Sequence, residues 1–166
     1  MVEAIVTGFM GSGKTTIGKL LANGAHRRHL DLDDLIVQHA SKTINQIFAE
    51  HGEAYFRALE TELLSAALGQ SGVLSTGGGT IGSEKNQQLL GKNEAPVIYL
   101  KTSFESIIER LNGDQTRPLV RKGTEALKDL YQRRRHYYEQ SADLVIVTDD
   151  KSPEQIVNEI QQSIRL

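Results

Sequence analysis

Residues 2–15 read Val2-Glu3-Ala4-Ile5-Val6-Thr7-Gly8-Phe9-Met10-Gly11-Ser12-Gly13-Lys14-Thr15. An apolar run enters G-x-x-x-x-G-K-T, and a helical pattern follows. The order is strand, phosphate-cradling loop, helix, the context that gives this spacing its physical meaning. Gly8, Gly11 and Gly13 admit turns closed to other residues and bring several N–H groups to one point. That nest and the positive end of the next helix attract phosphate. Lys14 can reach the β- and γ-phosphates of a nucleoside triphosphate, and the Thr15 hydroxyl can ligate Mg²⁺.

Composition bounds the rest. The 166 residues suit one domain, 1–166, with a sizeable core. Hydrophobic residues make up 39% and charged residues 24%, the balance of a globular chain rather than a disordered one. A net charge of -2 offers no overall basic footprint for nucleic acid. Zero cysteines exclude a disulfide framework and any cysteine-ligated metal site. No apolar run approaches the roughly 20 residues that span a bilayer. No basic segment followed by a long apolar one opens the chain, so no secretory signal is visible. A soluble cytoplasmic protein with no membrane partner is expected, and a monomer.

Short apolar strands alternate with helical patterns along the whole chain. The first helix is predicted from about Lys14 to Asn23, with Ile17, Leu20 and Leu21 on one face. A second strand ends near His29-Leu30-Asp31, and helices are predicted over Asp34–Ala40, Ile44–Glu50 and Glu53–Leu68. Gly72–Ser75 and Pro96–Leu100 read as strands, with Gly77-Gly78-Gly79 ending the first. Thr102 and Glu105 have the spacing of a capping box for a helix through Leu111. Asn112–Gly123 reads as a loop, Thr124–Gln140 as a charged helix and Leu144–Val147 as a strand. Ser152 as cap and Pro153 in the first turn open a last helix, whose Ile156, Ile160 and Ile164 should face the sheet. The expected fold is α/β, with a mostly parallel sheet. Ligands in such folds bind beyond the carboxyl ends of the strands. The phosphate loop, Asp31-Leu32-Asp33 and the triple glycine should therefore converge.

A phosphate-loop enzyme needs a second group to fix its metal, usually an acid at a strand end. Ser75 stands where that acid would follow Leu74, so Asp31 and Asp33 are the better candidates. At i and i+2 in extended chain they share a face. One can hold Mg²⁺ and the other can face an acceptor hydroxyl, or with Asp34 they only cap the next helix. Arg57 and Glu60, three apart on a helix, are either a surface ion pair or an Arg held to present its fork to a carboxylate. In Arg133-Arg134-Arg135 successive residues diverge by about 100°, so at most one or two enter a cleft. Arg117 lies in a loop, about 112–123, suited to a lid that excludes water and sets a cation over the transferring phosphate. Arg110 can lie against adenine or simply favour a helix C-terminus. No Asn-Lys-x-Asp guanine-reading motif occurs, which argues against a GTPase switch.

Taken together, the chain resembles the shikimate kinase family over nearly its whole length. The resemblance rests on Gly8–Thr15, Leu30-Asp31-Leu32-Asp33, the run from Ile47 to Glu60 with Gly52-Glu53-Ala54-Tyr55-Phe56-Arg57, Ser75-Thr76-Gly77-Gly78-Gly79, Thr116-Arg117-Pro118-Leu119, and Arg134 four residues before Tyr138. It implies a nucleoside-monophosphate-kinase-like P-loop fold: a five-stranded parallel sheet flanked by helices on both faces, with a lid loop. It implies transfer of the ATP γ-phosphate to the 3-hydroxyl of shikimate, toward chorismate and aromatic amino acids. Asp33, Arg57, Gly79 and Arg134 would bind shikimate, the two arginines holding its carboxylate and Glu60 orienting Arg57. ATP would contact Gly11, Ser12, Gly13, Lys14, Thr15, Thr16, Arg110 and Arg117, with the segment near Asp150–Pro153 close to adenine. Lys14, Asp33 and Arg117 would carry catalysis. Thr15 would coordinate Mg²⁺ with Asp31 in support. A gluconate-type kinase and a catalytically silent nucleotide-binding regulator are the alternatives.

Overall fold

The computed structural model describes residues 1–112 and 123–166. Five strands form one sheet: β1 (Ala4–Thr7), β2 (His29–Asp31), β3 (Val73–Ser75), β4 (Val97–Lys101) and β5 (Leu144–Val147). Their order is β2-β3-β1-β4-β5 and every pairing is parallel. Parallel neighbours need crossovers, and helices supply them: α1 (Lys14–Gly24), α2 (Leu32–Ala40), α3 (Ile44–Leu68), α4 (Glu84–Gly91), α5 (Phe104–Leu111) and α6 (Thr124–Ser141); α7 (Pro153–Ser163) follows the last strand.

Side chains alternate across each strand, and two cores result. Ala4 and Val6 of β1, with Ile98 and Leu100 of β4, pack against Ile17 and Leu21 of α1 and Ile156 and Ile160 of α7. Ile5, Val97 and Tyr99 face the other way, onto Phe56, Leu59 and Leu64 of α3 and Tyr138 of α6. Ile164, as expected, lies partly buried against the first of these cores. Both faces of the sheet are thus covered, which is why its strands read as apolar runs without alternation.

Strand order reverses at β1: the chain leaves β1 toward the β2 edge and leaves β3 toward β4. The ends of β1 and β3 therefore border the crevice in which open α/β sheets take ligands.

Four details differ from the sequence expectation. The second helix begins at Leu32 rather than Asp34, because Asp31 is its N-cap and accepts hydrogen bonds from the N–H groups of Asp33 and Asp34. Asp33 therefore lies in a first helical turn, and the extended-chain argument for pairing it with Asp31 does not hold. The helices expected over Ile44–Glu50 and Glu53–Leu68 form one run broken at Gly52, whose φ of 81° only glycine takes readily. The break lets Phe48 and Phe56 meet with ring centroids 4.7 Å apart. A 3-10 turn (Thr80–Gly82) and α4 follow the triple glycine, where no element was foreseen.

The capping box of α5 is also shifted by one residue. Thr102 is buried and its hydroxyl meets that of Thr148 at 2.5 Å, because β4 keeps the chain in the sheet to Lys101. Ser103 caps α5 instead, accepting from the Ser106 N–H at 3.2 Å. Asp149, just past β5, receives the hydroxyls of Ser103 at 2.6 Å and Ser106 at 2.7 Å, and the Ser103 N–H at 3.1 Å. Burial pushes the Asp149 carboxyl up, but these donors outweigh it and hold it below its ordinary value. A carboxylate depressed in the folded state adds stability above its unfolded pKa and loses it as pH falls through the folded one. Asp149→Asn is expected to cost about 1 kcal/mol at pH 7. Urea melts of wild type and variant should converge as pH drops below about 4.

Candidate active site

The phosphate loop closes on itself before any ligand arrives. The Ser12 N–H donates to the Phe9 carbonyl at 3.1 Å, and Lys14 Nζ donates to the same carbonyl at 2.9 Å. Gly13, the N-cap of α1, has φ 92°, so its left-handed backbone turns the loop into the helix. Among the described residues, the Ser12 hydroxyl is the one buried side-chain polar atom with no partner. An orphan of this kind inside a phosphate loop is a donor awaiting an acceptor.

Thr15 sits in the first turn of α1 and donates its hydroxyl proton to Asp31 Oδ2 at 2.7 Å. The other Asp31 oxygen takes the Asp33 N–H at 3.0 Å and the Asp34 N–H at 3.4 Å. Both oxygens of Asp31 thus have donors, and the Thr15 lone pairs are left to meet a hard cation. This donor set fits a Mg²⁺ ion bound through few protein oxygens, phosphate and water. Among the described residues no group of three or more His, Cys, Asp or Glu could hold a metal by itself.

A cavity of about 510 Å³ opens over this loop. Gly11, Ser12, Gly13, Lys14, Thr15 and Thr16 line it, with Asp31, Asp33 and Arg110. Arg110 reaches back from the end of α5 to the Gly11 carbonyl at 2.9 Å. Lys151, Pro153 and Ile156 close the far side, so the segment after β5 does border the cavity.

A second cavity of about 500 Å³ lies beyond the triple glycine and is lined by Arg57, Gly79 and Arg134, with Glu53 and Arg133. Arg57 donates from Nη1 to Glu60 Oε1 at 2.8 Å, and Glu60 is only 1% exposed. The Thr80 hydroxyl donates to the other Glu60 oxygen at 2.9 Å. With both oxygens engaged inside the protein, Glu60 fixes one edge of the Arg57 guanidinium; Glu53 lies 3.6 Å from its Nε, and the remaining face borders the cavity. The spacing of Arg57 and Glu60 allowed a surface pair; burial of Glu60 rules that reading out. Gly79 lies directly under the guanidinium: a Cβ there would lie 2.4 Å from Arg57 Nη2, so any side chain at 79 needs Arg57 to move.

Of the arginine triplet, Arg134 turns inward. It is 8% exposed, donates to the Gly78 carbonyl at 3.3 Å and lies over the Phe9 ring. Arg133 lines the wall of the second cavity, while Arg135 pairs with Glu139 at 3.2 Å on the surface. Burial lowers the Arg134 pKa; Tyr138 opposes this, and the like charge of Arg57 adds to it. Two guanidiniums in a partly dry cavity favour an anion between them.

Gly78 joins the two halves. Its backbone touches the phosphate loop, for a Cβ on it would lie 3.1 Å from the Met10 nitrogen. Its carbonyl accepts from Arg134 and from the buried Tyr138 hydroxyl. Gly78 lines the first cavity and Gly79 the second. Asp33 stands at the seam, with Oδ1 2.8 Å from where a Gly77 Cβ would be. The expected residues therefore gather in two adjoining groups. Arg117 and most of the expected lid lie outside the described residues. Sequence reasoning gave no role to Tyr138 or Thr80; the i+4 spacing of Arg134 and Tyr138 was the available signal for the first.

Fold and site define a P-loop kinase that works on a small anionic acceptor. The family model for shikimate kinase matches residues 10–165. A shikimate kinase of Persephonella marina is 42% identical over 99% of this chain and 100% of its own length. One of Geobacter sulfurreducens is 45% identical, over 98% and 91%. Among solved structures, shikimate kinase from Acinetobacter baumannii in complex with shikimate superposes with a TM-score of 0.91 at 33% identity, covering 98% of this chain and 90% of that one. The Aquifex aeolicus shikimate kinase gives 0.86 at 34%, over 98% and 95%. The chain belongs to the shikimate kinase family, and is an ATP-dependent kinase of aromatic amino-acid biosynthesis. Neither the gluconate-type kinase nor the silent regulator is favoured by these matches.

Replacing Gly79 by Ala should push the Arg57 guanidinium off Glu60. A crystal structure of the variant is expected to show that displacement, with the fold unchanged.

Proposed function

We propose that the two cavities are the donor and acceptor halves of one site, which moves the ATP γ-phosphoryl group to the 3-hydroxyl of shikimate. The observation that carries this is the Gly78–Gly79 pair. Consecutive residues wall the two cavities, which supports a reading in which phosphate donor and hydroxyl acceptor are held side by side.

On the donor side, Gly11, Ser12, Gly13 and Thr16 cradle the phosphates, and Lys14 meets the β- and γ-oxygens. Arg110 and the segment at Lys151–Pro153 flank the base. Thr15 would hold Mg²⁺, with Asp31 fixing the direction of its hydroxyl; bound there, the ion would neutralise charge on the phosphates. On the acceptor side, Arg57 and Arg134 clamp the shikimate carboxylate, and the Gly79 backbone meets its hydroxyls. Asp33 accepts a hydrogen bond from the 3-hydroxyl and takes its proton as the oxygen–phosphorus bond forms and the bond to ADP breaks. Arg117 keeps the role that family resemblance gives it, a cation over the transferring phosphate. We read residues 1–166 as one kinase domain, working in the cytoplasm as a monomer without nucleic-acid or membrane partners. No described helix is long and apolar enough to cross a membrane.

ADP release coupled to shikimate addition tests the reaction; release no faster than without shikimate overturns it. Asp33→Asn is expected to lower kcat by roughly a hundredfold or more. Arg57→Lys should raise KM for shikimate by roughly tenfold and leave KM for ATP unchanged, since the planar fork is lost only on the acceptor side.

A further inference from the structure

His29, Ser75 and Gly18 meet under the phosphate loop, and the transfer described above uses none of them. Ser75 ends β3, is fully buried, and lies where the metal-binding acid of other phosphate-loop enzymes would stand. Its hydroxyl donates to the carbonyl of Lys14 at 2.9 Å. His29 of β2 lies with Nε2 2.9 Å from the same Ser75 oxygen. A serine hydroxyl has a single proton, and the Lys14 carbonyl takes it. The His29 contact must therefore run the other way, with Nε2–H donating and Ser75 accepting. A directed chain results, from imidazole through hydroxyl to the backbone of the phosphate-loop lysine.

Gly18 makes room for this chain. A Cβ there would lie 2.2 Å from the Ser75 oxygen and 2.8 Å from His29 Nε2. Glycine inside a helix is otherwise unfavourable relative to Ala, so its place in α1 is accounted for by the His29–Ser75 contact. His29 and Asp31, two apart on β2, face α1 together. Asp31 holds Thr15 directly at 2.7 Å, and His29 holds the preceding residue through Ser75.

We infer that His29 is a positioning residue that acts through Ser75 on the Lys14 carbonyl and so sets the first turn of α1 against β2. This rests on the reading of Lys14 and Thr15 as the phosphate and metal groups. Ser75 takes over, by orienting backbone, part of what a strand-end acid does by charge elsewhere.

Calorimetric titration of the full chain with ADP and Mg²⁺ tests it apart from turnover. His29→Phe removes the donor and Ser75→Ala the relay; each is expected to weaken ADP binding roughly threefold to tenfold. His29→Gln, whose amide N–H can stand where Nε2–H does, should recover the affinity. The double variant should be no weaker than either single one, because both changes cut the same chain. KM for shikimate should not move. Unchanged ADP affinity in the folded Phe or Ala variant overturns the inference, as do additive losses or failure of Gln to rescue. If wild type binds ADP but does not phosphorylate shikimate, the proposed function alone falls, and the ADP titrations still decide this point.

Discussion

Everything in the site depends on the parallel pairing of β1 with β3. The register sets Ile5 beside Leu74 and Val6 beside Ser75. With the strands fixed there, the Thr76 N–H donates to the Val6 carbonyl at 3.0 Å, and both chains leave the sheet at the same level. One becomes the phosphate loop and the other the triple glycine. A slip of one residue would turn Ser75 to the opposite face and withdraw it from Lys14. The ladder therefore carries the active site as well as the fold. Its strands are short, so the register is held by the packed faces: Ile5 and Leu74 on one side, Ala4, Val6 and Val73 on the other.

Charge is organised around that frame by a division between buried acid and half-open base. Glu60 is enclosed and fully engaged, whereas Arg57 keeps part of its surface. Removing the acid would strand a cation in a partly dry wall, at a cost of about 2 kcal/mol once the exposure of Arg57 is discounted. Tyr138 performs a similar service without charge. It stacks on Tyr99 with centroids 5.0 Å apart and points its hydroxyl at the Gly78 carbonyl. Burial raises the pKa of both phenols, so both stay neutral, and Tyr138 stays a donor. The loop between the two cavities is thus held from α6 by one cation and one neutral hydroxyl.

The strands and most helices were legible because a sheet covered on both faces writes itself as apolar runs between helical patterns. The phosphate-loop motif and the next strand end point to Thr15 and to Asp31 or Asp33, and only the family resemblance pairs Thr15 with Asp31. Spacing alone does not place Asp33, since any of the three acids can cap the helix; Asp31 is the one that does, which draws the helix two residues earlier. The turn after Gly79 and α4 were hidden for another reason. Their stretch, Thr80–Gly91, is mostly polar, and it is held by hydrogen bonds such as Asn86 to the Thr80 carbonyl at 2.9 Å. Thr102 and Ser103 are adjacent cap-forming residues, and only the length of β4 decides between them. His29 with Ser75, Thr80 with Glu60 and Tyr138 with Gly78 are separated by 46, 20 and 60 positions, beyond any local pattern.

The contact between Gly79 and Arg57 has a consequence for how such a chain can change over generations. Any side chain at 79 meets the guanidinium, and Arg57 must move to admit it. A single substitution at 79 therefore disturbs Arg57 as well, and disturbs least where 57 has already changed. The two positions are coupled in inheritance, and a lineage that kept the fold while abandoning the acid acceptor would be freer to vary the glycine once the arginine was lost.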